Sequence, residues 1–524
     1  MLRNLSTVES VANRANAQLS VMLVHLETGQ LVRRSTDEDQ VFMFKHALVQ
    51  DAAYQSLLQK QRRVLHALVA QTIETLYPDQ LDVYAAVLAG HYSHARDDTR
   101  TVVYSILAGD VAMRLSAFAE ARLHYNAALD ALTRLPDDQI NLGRRVDTLI
   151  KLTNASAFAD DPALNYARLI EAEKLATRLS ETEPNYRKQL AHVYYWRGFI
   201  SLMLNDTRET MRSYQQSRRV SQEIHLDQLA AQTTFDSAVV LNVQGRFGEA
   251  EPMFVESIEL MQQAGKPIED VIALAQWGVA LAGRGQYARG LEQAQISLAR
   301  VQRVGTGYAV QVNHLLIGWI HFLGGEWMRA LESLQTSLQL AHQGGDWIQV
   351  FTSSIFIAWI SSRLGQSAAA QQTLAQIQPL VQKTNARLVG IEMFMAAQAE
   401  IALGANQIDQ ALALAEQTVA ASQANDALFS QGIAQRVWAQ ARAAQNASWD
   451  DVEAHLQSSL DAFAQGDARI EMARTQMTWG KLLLDRTERE SAKNHFEQAA
   501  AQFEISELTR ELKEARAFLS LEKT

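Results

Sequence analysis

Apolar, small and polar positions recur along most of this chain in one arrangement, and its spacing is helical. "GRGQYARGLEQAQISL", from Gly283 to Leu298, returns forty residues later as "LGGEWMRALESLQTSL", from Leu323 to Leu338. Gly285 and Gly325, Tyr287 and Trp327, Gly290 and Ala330, and Leu291 and Leu331 occupy matching places, as do Ser297-Leu298 and Ser337-Leu338. The shared template is Gly, any residue, aromatic, two residues, small, three residues, large apolar, two residues, small, apolar. Apolar residues three and four apart predict an amphipathic helix that begins near the aromatic.

The aromatic slot serves as a marker for the rest of the chain. Phe247 fits, with Gly245, Ala250, Phe254 and Ser257-Ile258. Ser367 keeps Gly365, Ala370 and Leu374, and Ile408 and Trp449 fit more loosely. Arg489 precedes Ala492, Phe496 and Ala499. Upstream, Thr207 keeps Tyr214 and Ser217, Tyr166 keeps Leu169 and Ala176, and Phe118 keeps Ala121, Tyr125 and Ala128. From Thr207 to Arg489 the steps are 40, 40, 40, 40, 41, 41 and 40 residues. A period this steady is the mark of a stacked repeat array.

Nine residues before the marker lies a second slot, occupied by Gly109, Ala157, Gly198, Ala238, Gly278, Gly318, Ala358 and Gly480. A slot kept small predicts a helix pair whose axes approach closely there, the second helix answering with its own small residue, as at Ala250 or Ala330. The glycine two before the marker is expected to end the first helix in the left-handed conformation, and the aromatic to wedge the turn. No such hairpin can bury its apolar face alone, so neighbours must stack.

The pattern resembles the tetratricopeptide repeat, most fully at Gly109/Phe118/Ala121/Tyr125/Ala128 and Gly318/Gly325/Trp327/Ala330. It departs from that family in its period and in lacking the closing proline, which implies longer helices. The expected fold is all-α: a tetratricopeptide-like superhelical solenoid of about ten hairpins over residues 99–524.

The first hundred residues differ. "AQLSVMLVHLE" over 17–27 predicts a helix, and Leu31–Arg34 and Val41–Phe44 predict strands around an acidic turn. A helix and then a hairpin is the tail of a winged-helix unit. Residues Phe44, Lys45, His46, Ala47, Leu48, Gln50, Asp51 and Tyr54 follow. They resemble the junction of STAND-type (AAA-like) ATPases, including those fused to adenylate cyclases, where such a helix leads from the winged helix into the repeats. The expected division is a winged-helix remnant over 1–48, linker helices over 49–98 and repeats over 99–524. The resemblance implies a nucleotide-controlled bacterial regulator. No phosphate-binding loop is present: "QAGKPIED" around Lys266 lacks the first glycine and has Pro267 where Ser or Thr belongs. The chain is therefore expected to be the carboxy-terminal part of such a regulator, or a partner that has shed the ATPase core.

Composition narrows the function. Hydrophobic residues make up 48% and charged residues 20%, with 58 acidic against 48 basic side chains interspersed and a net charge of −10. No basic stripe offers itself to nucleic acid. The absence of cysteine excludes disulfides, thiolate catalysis and cysteine zinc sites, and fits the cytoplasm. "LSVMLVHL" is too short to cross a membrane and lacks the flanks of a signal peptide.

Candidate chemistry is sparse. His91 and His94, three apart on a helix, lack a third ligand of suitable spacing, so no metal is expected. Lys45, His46 and Asp51 sit on a lone helix without a pocket. Asp97-Asp98, Asp160-Asp161 and Asp450-Asp451 read as helix caps. No catalytic residue and no cofactor is expected.

Since the first helices of tetratricopeptide arrays line the concave face, the small-slot register points an aromatic stripe inward. It comprises Tyr195, Phe199, Phe235, Asn242, Leu315, Trp319, Phe322, Ile355, Trp359 and Arg363. Two readings stand: a groove for a protein partner, such as an ATPase or cyclase module, or a core buried between turns of a tight superhelix. A small effector is the second class of partner.

Overall fold

A computed structural model of the chain describes residues 19–34, 42–263, 265, 267–304, 307–384 and 386–520. The helix Leu19–Thr28 leads to strands Val32–Arg34 and Phe42–Phe44, paired antiparallel with Val32 opposite Phe44 and Arg34 opposite Phe42. Residues 17 and 18, the acidic turn with Val41, and Lys266 lie outside the described residues.

From Asp98 on, helices pair as hairpins. Ten pairs run from Asp98–Arg114 with Phe118–Leu132 to Arg469–Asp485 with Arg489–Ile505, and the helix Thr509–Ser520 follows. The long period has a plain origin. Thr207–Glu223 and Phe247–Gln263 are each 17 residues and Asp227–Gln244 is 18, with short turns between them. Each helix thus exceeds its counterpart in the roughly 34-residue repeat by close to one turn. The chain is an all-α, tetratricopeptide-like solenoid.

The turns follow the marker register. Phe118, Thr207, Phe247, Tyr287, Trp327, Ser367, Ile408, Trp449 and Arg489 are each the first residue of a second helix, whereas Tyr166 lies inside Pro162–Thr182. Two residues before the marker the backbone is left-handed, at Gly245 (φ +76°), Gly285 (+87°), Gly325 (+74°) and Gly365 (+78°). Ser116, Asn205, Asn406 and Thr487 adopt the same conformation in other repeats, so glycine is favoured at this cap but not obligatory.

The small slot works differently from expectation. A Cβ at Gly198, Gly318 or Gly480 would lie 2.5 Å from Tyr214, 2.5 Å from Leu334 and 2.7 Å from Phe496. The small residue receives the large apolar side chain of the partner helix, not its small one. Gly278 and Gly290 are the exception: there two helix backbones touch. Nor do the aromatic markers wedge only their own turn. Phe247 seats on Gly283 and Tyr287 on Gly324, both at the end of the following repeat's first helix.

The chain forms two compact units, residues 1–196 and 197–524. In the first, small cores sit between neighbouring helices, around Val69, Leu88 and Tyr92, and around Val146, Ala172 and Val193. In the second, one continuous core runs from Phe247 through Trp319, Trp359 and Phe429 to Ala468. Its repeats coil tightly enough to meet those one turn later. Asn205 donates to Glu392 at 2.8 Å, the Thr207 hydroxyl to the Asn425 carbonyl at 2.8 Å, and Arg284 to Asp467 at 2.5 Å. Gly245 lies against Phe429 and Gly466.

Candidate functional site

Tight coiling decides where the aromatic stripe lies. Leu315, Trp319, Phe322, Ile355 and Trp359 are buried together in the large core of the second unit. Asn242 is buried and donates to the Gln276 carbonyl at 2.9 Å. These six present no open face, because the next turn of the array covers them, as the reading of a core buried between turns has it. Phe235 is partly buried, edge-on to Phe254. Phe199 is also partly buried. Tyr195, in the first unit, is partly buried and edge-on to Trp196.

Arg363 is the exception. In the two preceding repeats the marker aromatic meets a glycine at the end of the next first helix. Trp327 meets Arg363 in that place. The guanidinium lies 5.1 Å from the Trp327 ring centre, 4.8 Å from Phe322 and 5.7 Å from Trp359. A cation on aromatic faces replaces close helix packing, and beyond it lies a cavity of about 560 Å³ that is open to solvent.

The wall of that cavity is a ladder of alternating charge, carried by the first helices of successive repeats. Arg363, closing Trp347–Arg363, donates two bonds to Glu400 on Ile391–Gly404, at 2.7 and 3.1 Å. Arg436 on Leu428–Ala444 pairs with Glu471 on Arg469–Asp485 at 2.7 Å. Arg474 bonds Glu471 at 2.6 Å, Glu511 at 3.1 Å and the Leu323 carbonyl, one turn earlier, at 2.9 Å. Arg510 and Lys481 complete the cationic side, Arg510 lying 5.0 Å from the Trp327 ring centre and Lys481 2.7 Å from Glu514.

Burial alone would push Glu471, 1% exposed, toward its neutral form. The charges of Arg436 and Arg474 outweigh that and hold its carboxyl far below the usual carboxylate range. Glu400 is lowered in the same way, with Arg363 overcoming desolvation. Glu471 is thus a fixed anion between two buried guanidinium groups. Bidentate and shared pairs of this kind set geometry strictly.

The other candidates resolve into structural roles. Asp97 accepts from the Arg100 amide at 3.0 Å and Asp161 from that of Ala163 at 2.9 Å, as caps. Asp160 binds Arg168 at 2.8 Å and Asp451 binds Arg442 at 2.6 Å. Lys45 bonds Gln30 at 2.9 Å. His91 and His94 do meet a third imidazole, His66. Its Nδ1 lies 2.9 Å from that of His91, its ring stacks on His94 at 4.7 Å, and its Nε2 meets the Tyr54 hydroxyl at 3.0 Å. Among the described residues no group of three or more His, Asp or Glu is placed to hold a metal ion.

An Nδ1–Nδ1 bond needs one donor and one acceptor, so the pair cannot form it with both rings protonated. Desolvation, then the neighbouring charges, lowers His91 to about 4, and desolvation and His94 lower His66. The neutral rings stabilise the first unit fully above the ordinary histidine range near 6.5, and that stability is lost as pH falls toward 4. Amide-exchange protection of Gln59–Leu76 and Ala85–Ala95 is expected to fall over this window in the wild type, and less steeply in His91→Gln. Equal slopes would dismiss the histidine contact as the cause.

Reading the stripe as apolar and aromatic included Arg363 but missed the rest of the ladder. A signal existed: sparse charges inside largely apolar first helices, such as Glu400 in "IEMFMAAQAEIALG" and Arg436 in "QGIAQRVWAQ", pairing at spacings of 35 to 37 residues.

No known family matches the sequence, and no curated protein matches it. Solved structures with a similar course exist at low identity. A Rap protein complexed with competence and sporulation factor is 11% identical, with a TM-score of 0.46, over 78% of this chain and 99% of that one. A Signal Transduction ATPase with Numerous Domains that has a tetratricopeptide repeat sensor, from Pyrococcus horikoshii, is 10% identical with a TM-score of 0.44. The match covers 94% of this chain and 63% of that one. Yeast Tom70 is 12% identical with a TM-score of 0.34, over 90% and 97%. The fold assignment stands on the chain's own register: second helices that open on the marker residue, left-handed caps before it, and a large apolar side chain seated on the small slot at Gly109, Gly198, Gly318 and Gly480.

Proposed function

We propose that the chain is a non-catalytic recognition array, a protein-interaction scaffold and signal-sensing module of a STAND-like regulator acting in the cytoplasm. In this reading residues 1–48 are a winged-helix-like segment, 49–98 linker helices and 99–524 the repeats. The partner is a protein, such as an ATPase or cyclase module, and the partly buried Phe199 and Phe235 of the second unit are candidate contacts, with Tyr195 a separate candidate on the first. The supporting observation is that apolar packing gives the second unit one defined form, while its interior charges are tied into geometry-setting pairs. That arrangement suits holding and orienting better than turning over a substrate.

A second reading, a small-effector sensor controlling such a partner, is favoured by the cavity at Arg363. Its volume of about 560 Å³ falls in the range of small-ligand sites. Affinity capture, followed by rebinding of the purified partner, is set beside isothermal titration with a metabolite panel. Rebinding of a defined partner supports the scaffold, and heat from a metabolite with no partner favours the sensor. ATP hydrolysis by the purified chain would overturn the non-catalytic reading.

A further inference from the structure

The charged cavity is closed on one side by the helix Thr509–Ser520, which sends two carboxylates toward it from adjacent turns. Glu511, 8% exposed, meets Arg474 at 3.1 Å and Arg510 at 3.4 Å, and it packs against Gly325, where a Cβ would collide with it. Glu514 meets Lys481 at 2.7 Å. Carboxylates three apart on a helix sit about 5–6 Å apart at Cβ. Arg474 also bonds the Leu323 carbonyl, so the same guanidinium ties this helix to the preceding turn of the array.

Resting on the small-effector reading, we propose that the cavity takes a dicarboxylate, free or displayed on an acidic peptide, which displaces Glu511 and Glu514 and so releases the helix Thr509–Ser520. The helix acts as an internal competitor. Three observations fit this role. Each helix carboxylate engages a cation of the cavity wall. Arg510 and Lys481 are about half exposed, so an incoming anion can reach them. A guanidinium offers five N–H donors, so Arg474 and Arg510 can exchange one carboxylate for another without losing charge pairing. The remaining hold on the helix is Leu512 and Ala515 at the adjoining core, Phe518 stacked on Phe496 at 4.8 Å, and Arg516 paired with Glu504 at 2.8 Å. Exchange of the carboxylates therefore leaves the first turns held by Leu512, while Phe518 and the Arg516–Glu504 pair keep the end attached.

The test is isothermal titration of the full chain with glutarate, with an acetylated Glu-Ala-Ala-Glu peptide amide and with inorganic phosphate. It is paired with amide exchange across 509–520. Glutarate or the peptide is expected to bind and to speed exchange in that helix. Glu511→Gln, which weakens the competitor but keeps its shape, is expected to tighten binding about tenfold, and Arg510→Gln to weaken it about tenfold. Arg510 is half exposed, and the melting temperature of its variant is read beside binding to separate lost contact from lost fold. Glutarate binding without the peptide, or the reverse, identifies the source and supports the proposal either way. Equal affinity in wild type and Glu511→Gln, unmoved exchange, or binding of phosphate alone would overturn it and leave the small-effector reading standing. Silence toward these probes and the whole metabolite panel would overturn both.

Discussion

Glu471→Ala is expected to cost the second unit about 3–5 kcal/mol, because it strands two buried guanidinium groups without their shared anion. Arg436 and Arg474 approach Glu471 at 2.7 and 2.6 Å, and their side chains are 7% and 12% exposed. Water cannot replace the lost carboxylate, and the two cations then repel each other. Such a loss is a large share of the roughly 5–15 kcal/mol that holds a folded domain together. Glu471→Gln keeps the shape and some hydrogen bonding, so it should lose less. A pH signature separates charge from packing. Because the folded carboxyl is held below its unfolded value of about 4.5, its stabilisation is complete above that value and lost as pH falls further. Urea melts from about pH 5 down to about pH 2 should show acid loss in the wild type and a shallower slope in Glu471→Gln. A Glu471→Ala protein within about 0.5 kcal/mol of wild type would mean that the ladder carries no structural weight.

The second large effect falls on Gly290. A Cβ there would run into the backbone carbonyl of Gly278, and one at Gly278 would lie 2.5 Å from the carbonyl of Gly290. A side chain can rotate aside; a helix backbone cannot. Gly290→Ala must therefore spread the helices Pro267–Gly283 and Tyr287–Val304, at a cost of about 1–3 kcal/mol. Alanine's helix preference, worth close to 1 kcal/mol, works in the opposite direction. Gly307 is the internal control: its Cβ would meet nothing within 4 Å, so Gly307→Ala should be neutral or mildly stabilising. The opposite signs are the check, read from urea midpoints. A Gly290→Ala variant as stable as wild type would rule out close backbone contact at this crossing.

Much of the fold was readable because the sequence pattern is local. Phe247, Tyr287 and Trp327 announce the start of a helix, and Gly245, Gly285 and Gly325 its preceding cap, from a few consecutive residues. The small slot was located correctly but its occupant was not. Positions three and seven after the marker share one helix face, so spacing alone does not say whether Ala330 or Leu334 meets Gly318. The stripe shows a deeper limit. Whether Trp319 and Trp359 line a groove or a core depends on how far each repeat rotates on the last, and the apolar pattern is the same in both cases. The ladder escaped for a related reason. Glu400 and Arg436 look like stray charges on largely apolar helices until partners 35 to 37 residues away are brought alongside.

The contacts between successive turns impose an order on assembly during synthesis. Thr207 waits for a carbonyl 218 residues downstream, and Asn205 for a carboxylate 187 residues downstream. At ribosomal speeds of about 5–20 residues per second, the early hairpins stand unclosed for roughly ten seconds or more after they form. Through that interval their inner apolar sides lie open to whatever the nascent chain encounters, and the spiral shuts only once Asn425 has left the exit tunnel.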